Sequence, residues 1–451
     1  MRMSLVILGC AIVMPAAAAT ADDIAVTVYN SNLGVVSETR TLEFAKGLNR
    51  LAFRDVPSSI DPNSVRFELI DGSDDVAILE QNYAFDLVSS EQMFSKYVDQ
   101  QIELVDEDGT LYTGTLLAYG GGTVTLQDES GRIKIVQMGK ILETNFPSLP
   151  NGLITRPTLF WNYNSSVAGG RQARVGYQTS NISWGAEYVG LLDQDDKNLD
   201  LSGWASINNT SGKTYVDATL KLIAGDIGRA QDLEIRGGRS EAVLYKADVS
   251  AGFEEKAFFE YHMYTLPRKA TIANKEIKQI SLFEPARTGV TKLYLYQPNQ
   301  NQKQVKVAVK FNNSENAGLG MPLPAGRVRL FKADTDGSMI LLGEDRIEHT
   351  PKDEDVKLTV GYAFDIVAEE LTVDRQRISK SVEDVTFEIS LHNRKDEAVT
   401  VSVEKGLWGF WEVTNASFEY KKKDANTLTF DLPVPAGAEV SARYTVRFTN
   451  Q

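Results

Sequence analysis

Apolar and polar residues alternate with a period of two along most of this chain. "DIAVTVYN" (Asp23 to Asn30), "SVRFELID" (Ser64 to Asp71) and "VTFEISLHN" (Val385 to Asn393) are clear examples. Such alternation predicts half-buried β-strands. In "NISWGAEYVGLL", Ile182, Trp184, Ala186 and Tyr188 fall on one face. A large ring flanked by apolar neighbours on its own face predicts that Trp184 builds a sheet core. Asp108-Gly109, Asn151-Gly152, Ser211-Gly212 and Asp336-Gly337 read as turns between strands. One helix is predicted. Ser89 and Gln92 have capping-box spacing, and Met93, Phe94, Tyr97 and Val98 share a helical face.

The expected fold is mainly β and multidomain, with immunoglobulin-like β-sandwich domains. The expected division is 1–19 as a signal peptide, 20–88 as an N-terminal β segment, and 89–147 as a helix plus a small β-barrel module. Residues 148–345 follow as a central sandwich region and 346–451 as a C-terminal immunoglobulin-like sandwich. From Gln101 to Leu142, short strands and tight turns follow the helix, and this stretch resembles an Sm-like small barrel. Its loops carry Asp106, Glu107, Asp108, Asp128 and Glu129 instead of basic residues. The shape is therefore expected without RNA binding.

A weak echo recurs in "WASINNTSGKTYVDATLKL", "VAVKFNNSENAGLGMPL" and "FEISLHNRKDEAVTVSV". Each runs from an alternating strand to Asn, a polar turn and another strand. "FDLPVPAGAEVSARYTVRF" then has the form common in immunoglobulin-like sandwiches. The stretches "LITRPTLFW", "VGYQTSNISWGAEYVGLL", "LSGWASINNTSGKTYVDATLKLIAGDIG", "EYHMYTLPRKATIANKEIKQISLFE" and "GMPLPAGRVRLFKAD" occur in that order. Together they resemble the bacterial domain of unknown function 4139 family, whose relatives include mucoidy-inhibitor-type proteins. The resemblance covers roughly 152–451. It implies a β-rich fold and assigns no functional residues. The coiled-coil insert common in the mucoidy-inhibitor relatives is missing from the N-terminal part, where the small barrel stands instead.

The first residues change the compartment. Arg2, the apolar run Leu5 to Met14, Pro15 and the alanines at 16–19 form a secretory signal pattern with cleavage before Thr20. "ILGC" at Cys10 faintly resembles a lipoprotein box, but the apolar run continues past it. Cleavage removes the single cysteine, so disulfides and thiolate chemistry are excluded from the mature chain. Net charge is -14, and loss of Arg2 makes it more negative, which opposes nucleic acid and anionic membranes. Later segments lack the roughly 18 uninterrupted apolar residues of a membrane helix. The expected location is periplasmic or outside the cell.

Candidate chemistry is sparse. His262, His349 and His392 are far apart and form no metal-ligand pair. "LLDQDDKNLD" supplies Asp193, Asp195, Asp196 and Asp200, raw material for calcium, but Lys197 breaks the EF-hand order. It reads as a solvated acidic loop. "KADTDGS" reads as a hairpin turn at Asp336-Gly337. "SGKT" (Ser211 to Thr214) mimics a phosphate-binding loop, yet Ile207 stands where a glycine is needed and a strand follows. A Ser-His-Asp triad and a carboxylate pair stay open, with no favoured residues. "GLWGFWEV" places Trp408, Phe410 and Trp411 beside glycines. They form either a platform for sugars or peptides, or sandwich packing; packing is the expectation.

No catalytic, cofactor or metal site is expected, and the ligand-binding residues are unknown. The expected function is that of an exported, non-enzymatic binding or structural protein of the cell envelope, with an envelope protein or glycan as partner. The alternatives are a hydrolase acting on envelope glycan or peptide, and a calcium-stabilised adhesin.

Overall fold

The computed structural model describes residues 23–72, 74–85, 89–148, 154–225, 228, 254–258 and 261–449. The leader at 1–19, Cys10 and the Asn151-Gly152 turn lie outside them. The protein is mainly β and multidomain. Among the described residues, strands form five sheets of eight, five, three, five and nine members. Their one α-helix is Ser90–Lys96, capped by Ser89 Oγ, which accepts the Gln92 amide at 3.2 Å. The reciprocal half of a capping box is replaced by a Ser95–Gln92 contact. Phe94 and Tyr97 are buried on the expected face, while Val98 is partly exposed.

That helix packs on a five-stranded antiparallel sheet spanning Gln101–Asp106 to Ile141–Asn145. Its acidic loops cap their own turns. Asp106 Oδ1 accepts the Thr110 amide at 2.8 Å, and Asp128 Oδ1 accepts the Arg132 amide at 3.0 Å.

The largest core lies among the eight-stranded sheet, the three-stranded sheet and a second five-stranded sheet. Trp184, in strand Ile182–Leu192, is buried there as expected. Its indole N–H donates to the Ile223 carbonyl at 2.9 Å, and its ring meets Tyr264 edge-on. Strand pairing runs across the boundaries expected from the sequence. Asp23–Tyr29 lies parallel to Tyr215–Ala224, and Gly47–Arg54 pairs with Thr158–Ser165. Residues 23–84 therefore share one core with the central region. Thr291–Tyr296 and Gln304–Asn312 join the C-terminal sheet, while Gly326–Ala333 and Met339–Ile347 return to the central one. Local periodicity predicts a strand but does not name its neighbour, which is why these exchanges escaped it.

The nine-stranded sheet folds on itself. Trp411 and Leu428 come from strands near opposite ends of its order, yet both pack in one core with Val401, Ile389 and Val446. Strand Asp355–Arg377 serves both layers. Its first part pairs with Gln304–Asn312 and its last part with Val382–Asn393.

The three-fold echo has a physical basis. Asn209, Asn313 and Asn393 are each fully buried at a strand end. Each side-chain amide donates to backbone carbonyls: Asn209 to Lys213 (2.9 Å), Asn313 to Met321 (2.7 Å) and Asn393 to Glu397 (2.8 Å). Each side-chain oxygen accepts a loop amide, from Ser211, Gly320 and Lys395 respectively. A buried amide satisfied on both ends ties a turn to the strand that precedes it.

Candidate functional site

The outer face of the nine-stranded sheet carries a groove of about 370 Å³. On strand Val399–Gly406, Val401 and Val403 point into the core, so alternation turns Ser402, Glu404 and Gly406 outward. Cross-strand partners share a face. Ser402 is paired with Asp431 and, on its other side, with Leu295. Lys310 is paired with Lys357, and Lys306 with Tyr362. The groove floor is therefore aliphatic at Leu293 and Leu295, and its walls are polar.

Most charges in the walls are paired. Lys310 Nζ lies 2.7 Å from Asp355 Oδ2, and Lys423 Nζ lies 3.0 Å from Glu404 Oε1. Ser402 donates to Asp431 Oδ1 at 2.5 Å. Gln297 donates to Glu404 Oε2 at 2.8 Å, and Lys306 donates to both Gln297 and Gln300. Partial burial alone would raise the Glu404 carboxyl. The bonds from Lys423 and Gln297 outweigh it and hold that carboxyl below the usual glutamate range. Hydrogen bonds from Lys310 and Asn312 hold Asp355 low as well. Both carboxylates are ionised at neutral pH.

Two residues past Glu404 of the groove wall, the surface turns aromatic. A Cβ placed on Gly406 would lie 3.6 Å from the Trp408 ring and 3.5 Å from the Asn299 amide group. The Trp408 ring therefore sits beside the outward face of Gly406, in line with Ser402 and Glu404. Gly409 turns the chain immediately afterwards at φ 79°, a conformation favouring glycine. Trp408 is 70% exposed and Phe410 62% exposed. This corrects the expectation that these aromatics pack the sandwich. Only Trp411 does so, with its indole N–H donating to the Ala425 carbonyl at 2.8 Å. Period two holds for Phe410 and Trp411 in their strand, but Trp408 lies in the preceding loop.

The other sequence candidates stay apart. His392 faces Glu439 at 3.3 Å, His349 Nδ1 accepts the Ala325 amide, and His262 lies in strand Tyr261–Thr265. Among the described residues, no three His, Cys, Asp or Glu side chains gather as metal ligands. The acidic loop is braced from within and by neighbouring strands. Asp193 accepts from Asn198 Nδ2 and the Lys197 amide, bonds that push its carboxyl down to about 2. Asp196 is gripped by Lys292 at 2.8 Å and Lys332 at 2.5 Å. Asp200 lies 3.4 Å from Arg287. Gly337 closes the Asp336 hairpin with φ 83°.

Lys213 of "SGKT" is buried. Its Nζ donates to Glu38 Oε1 at 2.6 Å and to the Asp55 carbonyl at 2.7 Å. Arg40 and Tyr177 complete the shell around that carboxylate.

Compared with known proteins, the chain matches no family model and no curated protein. The groove draws on strands from Leu293 to Asp431. No contiguous motif announces it; the one local signal was the aromatic run at 408–411.

Proposed function

We propose that this protein is a non-enzymatic binding module of the cell envelope, exported by the leader at 1–19. The groove on the C-terminal sheet is its ligand site. The observation that carries this reading is Trp408, a large ring left in solvent beside a groove whose walls are already organised by hydrogen bonds. An isolated exposed aromatic needs no explanation, but one beside a concave polar surface fits ligand contact. Glycan hydrolysis needs a carboxyl that holds a proton near neutral pH. Glu404 and Asp355 are both held ionised, which favours binding over that chemistry.

The test is capture from solubilised envelope by the immobilised protein, run beside Trp408→Ala and Lys357→Glu. The expected result is one species, glycan or protein, retained by the parent in stoichiometric amount and lost with either substitution. Equal retention by all three proteins would remove the groove from the function.

A further inference from the structure

We infer that the Trp408 end of the groove is a saccharide subsite, with a neutral sugar ring stacked on the indole. This inference rests on the binding reading above and names its ligand class. Three observations converge.

First, the groove is charge-balanced: Lys310, Lys357 and Lys423 stand against Asp355, Glu404 and Asp431. A strongly anionic or cationic ligand would find as much repulsion as attraction, so a hydroxyl-rich uncharged ligand suits it better.

Second, polar side chains with spare hydrogen-bonding capacity stand beside the ring and along the groove. Asn299 uses its Oδ1 for the Gly406 amide at 2.9 Å. Gln300 uses its Oε1 for Lys306 at 2.7 Å. Each side chain also carries an NH₂, and farther along the groove Asp431 has a second carboxylate oxygen beyond the one Ser402 bonds. Donors beside the ring and an acceptor farther along match the hydroxyls of successive sugar units, each of which is both.

Third, the groove lies on the face of the sheet. The strands beneath it, Thr291–Tyr296 and Val399–Gly406, each have neighbours on both sides. An extended peptide gains affinity by adding to a free sheet edge and by filling pockets with alternate side chains. Here the backbone groups are spent in the ladder, and Leu295 is a nearly buried floor. A sugar ring needs neither edge nor pocket. Its C–H face packs on the exposed indole while its rim bonds to the amides.

The experiment is a pair of arrays, one of neutral oligosaccharides and one of peptides, probed with the fluorescently labelled protein and with Trp408→Ala and Asn299→Ala. Hits are followed by titration in solution. Melting curves of the variants confirm folding, which the exposure of Trp408 leaves intact. The expected result is oligosaccharide binding that weakens roughly tenfold or more in Trp408→Ala, as loss of an aromatic contact implies, and measurably in Asn299→Ala. Peptide binding without saccharide binding would overturn this inference and leave the binding module standing. Saccharide binding indifferent to Trp408 would overturn it too. Silence on both arrays would count against the inference and the parent reading together.

Discussion

Lys213 Nζ lies 2.6 Å from Glu38 Oε1, although 175 residues separate them in the chain. Both side chains are almost fully buried, and Arg40 and Tyr177 close the shell. The second core repeats the arrangement: Lys405 and Tyr444 both bond to Glu370. Removing Lys213 leaves Glu38 to Arg40 and Tyr177 and strands the Asp55 carbonyl. Lys213→Ala should therefore cost about 1–3 kcal/mol, and Lys213→Ala with Glu38→Gln should differ from the sum of the two separate effects. Urea melts of the single and double variants measure both quantities.

The same carboxylate sets an acid limb. Burial alone would raise the Glu38 carboxyl, but the charges of Lys213 and Arg40 outweigh it and leave it below the ordinary glutamate range. As pH falls, the unfolded chain takes up this proton first, near pH 4.3 or so, and unfolding is favoured. The contribution is thus whole above about pH 5 and is lost as pH falls through the folded-state value. Stability of the parent should drop more steeply between roughly pH 5 and pH 3 than that of Glu38→Gln, as followed by chemical denaturation. Parallel slopes would show that other carboxylates carry the acid limb.

Trp408 and Trp411 stand three residues apart with opposite fates. Trp411→Ala opens the second core and should cost about 3–5 kcal/mol. Trp408→Ala touches solvent and should stay within about 0.5 kcal/mol of the parent. Thermal melts at one pH separate the two.

The buried asparagines should behave alike. Alanine at 209, 313 or 393 leaves carbonyls and amides unpaired inside the protein, at about 1–3 kcal/mol for each group stranded. Hydrogen exchange should show loss of protection centred on the loop each one ties: 211–213, 320–321 or 395–397. A global loss with no local maximum would contradict the role of a tie.

Chelator should leave the melting temperature unchanged. The carboxylates of Asp193, Asp196 and Asp200 are already engaged by Asn198, Lys292, Lys332 and Arg287. A fall in melting temperature on adding EDTA would revive the adhesin alternative.

The residues themselves explain what could be read beforehand. Trp184 was legible because its own strand carries the apolar alternation around it. Ser89 was legible because a cap acts within three residues. The echo at Asn209, Asn313 and Asn393 was visible as a pattern, while its cause needed the carbonyls that converge on each amide. The Glu38–Lys213 pair was invisible: Ile207 and the strand after "SGKT" exclude a phosphate loop, but nothing local names Glu38 as the partner of Lys213. The groove was equally hidden, since Leu295, Lys310, Ser402 and Asp431 meet only through strand order. Trp408 departs from the packing expectation because a run of aromatics does not tell which side of the sheet the core covers.

The parallel pairing of Asp23–Tyr29 with Tyr215–Ala224 also has a temporal meaning. Among the described strands it comes earliest, with hairpin company close by in Leu33–Phe44. Its other edge waits for a partner far along the chain, where Ala25 pairs with Thr219. Until that long loop closes, the strand is an open template, so this edge is sealed late in folding.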